Sequence, residues 1–173
     1  CGEVGENCFE GEAVRKRSKY KPRQIIPDTM TWVRAGLKKV DEISAGTTLK
    51  IRNHDAMNNL RLGVAARFDI DALIDAANIT EALANRGIGE DWKPEIRAGQ
   101  DAILALARRG VANSFRFVAK GPELVALNLL IEVHDAQLET VTVKQLETAM
   151  ADVMESLRLK KMRPIVERPH AGS

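Results

Sequence analysis

The chain has 173 residues, 45% of them apolar but only 4% aromatic, and a net charge of +2. That is enough for one domain with a core of Ala, Leu, Ile and Val, a balance that suits close helix packing better than a β-sandwich. No apolar run approaches the roughly 18–20 residues of a membrane span. No secretory signal pattern is visible, and Cys1 and Cys8 both precede the expected body, so a cytoplasmic protein independent of disulfides is expected.

Residues 1–14, CGEVGENCFEGEAV, hold Glu3, Glu6, Glu10 and Glu12 and no base, a charge of −4, so residues 15–173 carry +6. The stretch has no initiator Met and no periodicity, and its charge changes abruptly after Val14. One reading is a disordered acidic tail that masks the bases behind it by self-association. The preferred reading is a leader outside the natural protein. Val14 would then be a GTG start, behind the purine-rich codons of Glu10-Gly11-Glu12.

Arg15 to Arg23, RKRSKYKPR, places six bases in nine residues. With Pro22 in the run and so much like charge, it reads as an extended arm. Arg15, Lys16, Arg17, Lys19, Lys21 and Arg23 suit a phosphate backbone, which basic side chains bind by releasing counterions. Tyr20 can stack on a base or sugar. The competing reading is a solvated tail that keeps the protein soluble.

The body begins with a short helix over TMTWVRAGLK, capped by Asp28, with Met30, Val33 and Leu37 on one face. A loop holding Ser44, Gly46 and Thr47 is expected next, then a short strand or extended connector from Thr48 to Ile51. Asn53 then caps a second short helix, HDAMNNLRL, which Gly63 ends. From about Phe68 to Arg86 two apolar stripes define a longer helix, with Asp71, Asp75, Asn78 and Asn85 facing out. The following helix, about Trp92 to Arg109, takes Asp91 as cap and Pro94 in its first turn. Its small residues, including Ala98, Gly99 and Ala102, permit close approach of a neighbour. Phe115 to Val118 alternates briefly, an isolated strand at most.

Gly121-Pro122 starts the central helix, since proline fits a first turn where its missing N–H is not needed. Leu124, Leu127, Leu130, Ile131 and Val133 spread around most of its circumference, leaving Asn128, Glu132, Asp135 and Glu139 as one narrow polar stripe. Thr142 and Gln145 form a capping box for the last helix. Arg158, Lys160, Lys161 and Arg163 end it as a second basic cluster, which either completes a helix dipole or joins the arm on one surface. The sum is an all-α, single-domain bundle. Four main helices, at about 69–86, 92–109, 122–139 and 143–161, join two short N-terminal ones. The bundle is expected to occupy residues 24–163, between the leader and arm at 1–23 and a tail at 164–173.

His134 lies on an apolar face with Leu127, Ile131 and Leu138, and reads as a core histidine bonded to a carboxylate or carbonyl. Glu81 is expected to pair with an arginine such as Arg97, and Asn58-Asn59 to be exposed. The spacing Glu132-Val133-His134 is not the Glu-x-x-His of di-iron bundles. No His-Glu-x-x-His, cysteine cluster or phosphate-binding glycine loop occurs. No catalytic residue, metal or cofactor is therefore expected.

The phrases RKRSKYKPR, LKIRNHDAMNNLRLG, DIDALIDAANITEALA, IRAGQDAILALARRG and GPELVALNLLIEVHDAQLETVTV together resemble a group of small helical proteins encoded by phages and prophages of proteobacteria. The resemblance covers roughly residues 14–165. Such proteins begin with Met followed directly by a run like Arg15 to Pro22, in keeping with a start at Val14. It implies a bacterial host cytoplasm and supplies no site residue. Ala66 stands where the resemblance would place a capping Thr. The function expected is a non-enzymatic accessory or regulatory protein that binds nucleic acid through its arm. The alternative is a modulator of a host protein, such as a polymerase or defence nuclease, with the helices as its contact surface.

Overall fold

The structure, a computed structural model, describes residues 29–159. The leader, the proposed start at Val14, Asp28 and the tail lie outside the described residues. Six α-helices follow one another: α1 Thr29–Leu37, α2 Ser44–Leu62, α3 Arg67–Asn85, α4 Lys93–Ala112, α5 Gly121–Thr140 and α6 Val143–Arg158. Short 3-10 turns at Val40–Glu42 and Glu90–Trp92 lead into α2 and α4. No strand forms among the described residues, so the all-α expectation holds.

Three helices wrap α5, while α6 packs on α3 and against α1 instead. Leu127, Leu130 and Leu138 are fully buried and Ile131 nearly so, and α2, α3 and α4 all pack against α5. The closest approach is to α4, where a Cβ on Gly99 would lie 2.8 Å from the Leu130 Cβ. The small residues of α4 thus bring two backbones together, as their sequence suggests. The polar stripe of α5 is not a solvent face along its length. It forms the seam to α2: Arg61 Nη2 donates to Asn128 Oδ1, His54 Nε2 lies 2.7 Å from Asp135 Oδ2, and Lys50 Nζ donates to Glu139 Oε1 at 3.2 Å.

α2 departs most from the sequence expectation. It is one helix of 19 residues, where a loop, a short strand or extended connector, and a short helix were expected. The array thus holds one nine-residue helix and five of 16–20 residues, not two short and four long. β-Branched Thr47, Thr48 and Ile51 weaken local helix propensity, and tertiary contacts override it. Gly46 is packed beneath Val40, leaving no room for a side chain: an added Cβ would meet the Val40 carbonyl oxygen at 2.2 Å. Thr48 Oγ1 donates to the Ser44 carbonyl at 2.9 Å, and Lys50 joins Asp41 at 2.9 Å. Asn53 caps nothing; it sits buried in mid-helix. Gly63 ends α2 at φ 69°, where glycine is at ease.

Ala66 precedes α3 without a capping side chain, but Asp69 supplies half of a capping box. Its Oδ2 accepts from the Ala66 N–H at 2.7 Å while Oδ1 accepts from Asn59 at 2.9 Å. Asn59 is therefore engaged, not simply exposed, and Asn78 is buried, not outward. Trp92, not Asp91, holds the N-cap position of α4, and Pro94 lies in its first turn. The Thr142–Gln145 capping box is formed as expected, with Thr142 N–H donating to Gln145 Oε1 at 2.9 Å.

Residues 113–120 reverse the chain between α4 and α5 and have no strand partner. Instead the α1–α2 connector meets the α5–α6 connector. Val40 N–H donates to the Val141 carbonyl at 3.0 Å, and Val143 N–H to the Lys38 carbonyl at 2.9 Å. Two apolar clusters result. The larger joins α2, α3, α4 and α5; the smaller joins Val40 and Val141 to Leu83, Leu138, Leu146 and Ala149.

Candidate nucleic-acid interface

Of the side chains expected to contact nucleic acid, only Arg158 is among the described residues. The arm residues Arg15, Lys16, Arg17, Lys19, Tyr20, Lys21 and Arg23 lie outside them, as do Lys160, Lys161 and Arg163. Arg158 closes α6 and grips Glu155 with two hydrogen bonds of 2.7 Å each. That contact holds the Glu155 carboxyl below its ordinary range and raises Arg158. Both are at the surface, where such a pair is readily exchanged for a stronger anion.

The fold gathers other bases that the linear sequence does not. α2 runs antiparallel to α5 through the three pairs above, and antiparallel to α3 through Asn59–Asp69 and Arg52–Asp75. The α2–α3 turn and the start of α5 therefore share one end of the array. α4 reaches the same end through Arg109, whose Nη1 donates to Glu123 Oε1 at 2.6 Å and whose Nη2 donates to the Val118 carbonyl at 3.2 Å. Residues 29–159 hold 16 bases and 18 acids. Arg61, Arg67, Arg108, Arg109, Arg116 and Lys120 share this end with Asp69, Asp71 and Glu123, which leaves 10 bases and 15 acids elsewhere among residues 29–159. A mildly acidic body thus has one basic end.

Two aromatic rings stand at that end. Phe68, the second residue of α3, is 69% exposed, and Phe115, in the α4–α5 turn, is 56% exposed. Ser114 and Phe115 have φ of 54° and 63°, the left-handed region, which costs free energy for a residue with a Cβ. The reversal closes α4, with Phe115 N–H donating to the Gly110 carbonyl at 2.7 Å. It also turns Phe117 into the core over Gly110, where an added Cβ would sit 2.1 Å from the ring. Phe-Arg-Phe thus puts one ring inside and one outside. The brief alternation in the sequence is the only local trace of this arrangement.

The buried polar groups form a different kind of feature. His134 is 1% exposed, and its Nδ1 lies 2.8 Å from Thr80 Oγ1. Its partner is thus a hydroxyl, not the expected carboxylate or carbonyl. Burial, with the charges of Arg52 and Lys50, pushes the His134 pKa down to about 4, so the ring is neutral at pH 7. Glu81 accepts from Gln100 at 2.9 Å, not from Arg97. His54, at the surface of α2, pairs with Asp135.

A groove of about 350 Å3 lies along α5 beside the α3–α4 connection, edged by Trp92, Leu129, Glu132, Val133 and Ala136. Gln137 closes its floor, donating to the Ile88 and Thr80 carbonyls at 2.7 and 3.2 Å. Among the described residues no group of three or more His, Cys, Asp or Glu side chains could hold a metal ion. No helix among them is long and apolar enough to cross a membrane. Comparison of the chain with protein-family models, with curated proteins and with solved structures finds no match.

Proposed function

We propose that this chain is a non-enzymatic phage or prophage accessory protein of the bacterial cytoplasm. It binds nucleic acid without sequence preference through its basic arm, in a regulatory role. The observation that carries this reading is charge segregation. Six bases fall within nine residues at 15–23, ahead of a described body with 16 bases and 18 acids. Such a body has no net positive charge, so the arm is the main place where a phosphate backbone would be held. A His134 that is closed off from solvent and bonded to Thr80 supports a role without chemistry. Removing residues 1–23 should lower affinity for a duplex oligonucleotide by several tenfold steps at low salt. Affinity of the full chain should fall with salt at a log–log slope of about 4–5. Unchanged affinity after truncation would reduce the arm to a solvated tail.

One observation favours a second reading, a modulator of a host protein. Met30, Val33 and Leu37 on α1 and Met150, Met154 and Leu157 on α6 are exposed apolar side chains on two helices that touch. Methionine-rich surfaces adapt to partner proteins. Capture of a host protein that survives nuclease treatment and high salt would favour this reading.

A further inference from the structure

We propose that the basic end of the array is a second contact surface, one that takes single-stranded nucleic acid by stacking its bases on Phe115 and Phe68. This rests on the reading of the chain as a nucleic-acid binder, but uses none of the arm. Arg61, Arg67, Arg116 and Lys120 would meet the phosphates.

The argument starts from Phe115. The turn needs a left-handed residue there so that Phe117 can enter the core over Gly110. Glycine adopts that conformation without penalty, and Asn or Asp with little. A phenylalanine is the costly choice, and at 56% exposure it recovers little by burial. The fold therefore does not account for the ring. Phe68, in ordinary helical backbone at the start of α3, is more exposed still and directly follows Arg67.

The occupant follows from charge and shape together. Arg116 adjoins Phe115, and Arg67 adjoins Phe68, so each ring has a guanidinium group beside it in the chain. Arg67 is held only loosely, 3.9 Å from Asp71, and Arg61 is bonded to the neutral Asn128. Both can turn to a phosphate. A duplex keeps its bases stacked on one another and offers a projecting ring only its ends. An unpaired strand offers every base face, and aromatic rings flanked by bases are how proteins hold one without reading its sequence. An acidic protein segment would use the arginines but not the rings.

The test uses the full chain and Phe115→Gly, which removes the ring while relieving the left-handed strain. Thermal unfolding should show a midpoint equal to or above the parent's. Affinity for an oligothymidylate of about 20 nucleotides should fall about 5- to 100-fold, the range a lost stacking contact gives. Affinity for a duplex of the same length and for heparin, a polyanion without bases, should change less than about threefold. Phe68→Ala in the same background should deepen the loss. The proposal is overturned if oligothymidylate binding is unchanged in the double variant, or if heparin binding falls in step with it. Should the full chain bind none of the three probes, the nucleic-acid reading itself falls. If truncation of residues 1–23 abolishes binding while the two phenylalanine variants match the parent, that reading stands and only this surface is lost.

Discussion

The Thr80 hydroxyl gives its hydrogen to the Ala76 carbonyl at 2.7 Å and stands 2.8 Å from His134 Nδ1. A carbonyl can only accept, so the single hydroxyl hydrogen is committed to Ala76 and the histidine must donate from Nδ1. The neutral tautomer of His134 is fixed by that relationship. Its folded pKa of about 4 lies below the ordinary 6.5, so the unfolded chain binds the proton first as the solution is acidified. This contribution to stability is fully present above pH 6.5 and is lost as pH falls toward 4. By proton linkage the loss is about 3 kcal/mol. Denaturant unfolding of the parent and His134→Leu at pH 7, 5.5 and 4 should show the parent losing more stability. Equal losses would mean the ring is not neutral and buried. Thr80→Val should cost about 1–3 kcal/mol by leaving the imidazole N–H unpaired.

Gly99 and Leu130 set the spacing of α4 and α5, with room for no atom between them. Leu130→Ala should cost about 2–5 kcal/mol, because Leu130 is fully buried. Gly99→Ala should cost about 1–3 kcal/mol by overpacking. The two should not add. Truncation removes the leucine Cγ and Cδ2, which the added methyl would meet at 3.1 and 2.9 Å, and leaves only the Cβ in its way, so the double variant should be at least about 0.5 kcal/mol more stable than the sum. Additive costs in a double-mutant cycle would show that the helices part instead of packing.

Glu123 clips the α4–α5 turn, accepting from both Arg109 and the Lys120 N–H, the latter at 2.8 Å. The arginine hydrogen bond is the main reason its carboxyl is held below the ordinary range. That stabilisation is present above the usual carboxylate pKa and fades as pH falls through the lower folded value. Glu123→Gln should cost about 1–3 kcal/mol at pH 7 and speed amide exchange in residues 113–120. Exchange confined to the parent's rate would show the turn to be held by Phe117 alone.

Truncation of residues 1–23 should shift the unfolding midpoint by no more than about 1 °C, since a segment so rich in charge offers little apolar area to bury. Calorimetry on the two chains decides it. A shift of about 5 °C or more would place the arm in the packed structure.

Helix content was legible wherever one helix carries its own signals. Pro122 and the dense apolar residues behind it announce α5, and Thr142 with Gln145 announces α6. α2 was not legible, because Gly46, Thr47, Thr48 and Ile51 look like interruptions to any local window. What keeps them helical comes from elsewhere: Val40 lying on Gly46, and Lys50 reaching Glu139, 89 residues away. Asn78 and Asn53 were misplaced for the same reason, since a polar residue reveals its burial only when its neighbours are known. The basic end was hidden by its dispersal. Arg61, Arg67, Arg116 and Lys120 belong to no run, and only the antiparallel course of α2 brings their turns together.

The paired connectors, Lys38–Val40 against Val141–Val143, join parts of the chain about a hundred residues apart through backbone hydrogen bonds. Closing so long a loop carries an entropic cost that few early contacts offset, whereas the α4–α5 hairpin closes over eight residues, 113–120. The expected folding order therefore has α4 and α5 associating first and the clasp between the two ends of the body closing late. Unfolding would begin there in reverse. α1 and α6 would come away together and expose Leu83 and Leu138 while the larger cluster stays intact. Native-state hydrogen exchange should register this as one cooperative unit of low opening free energy.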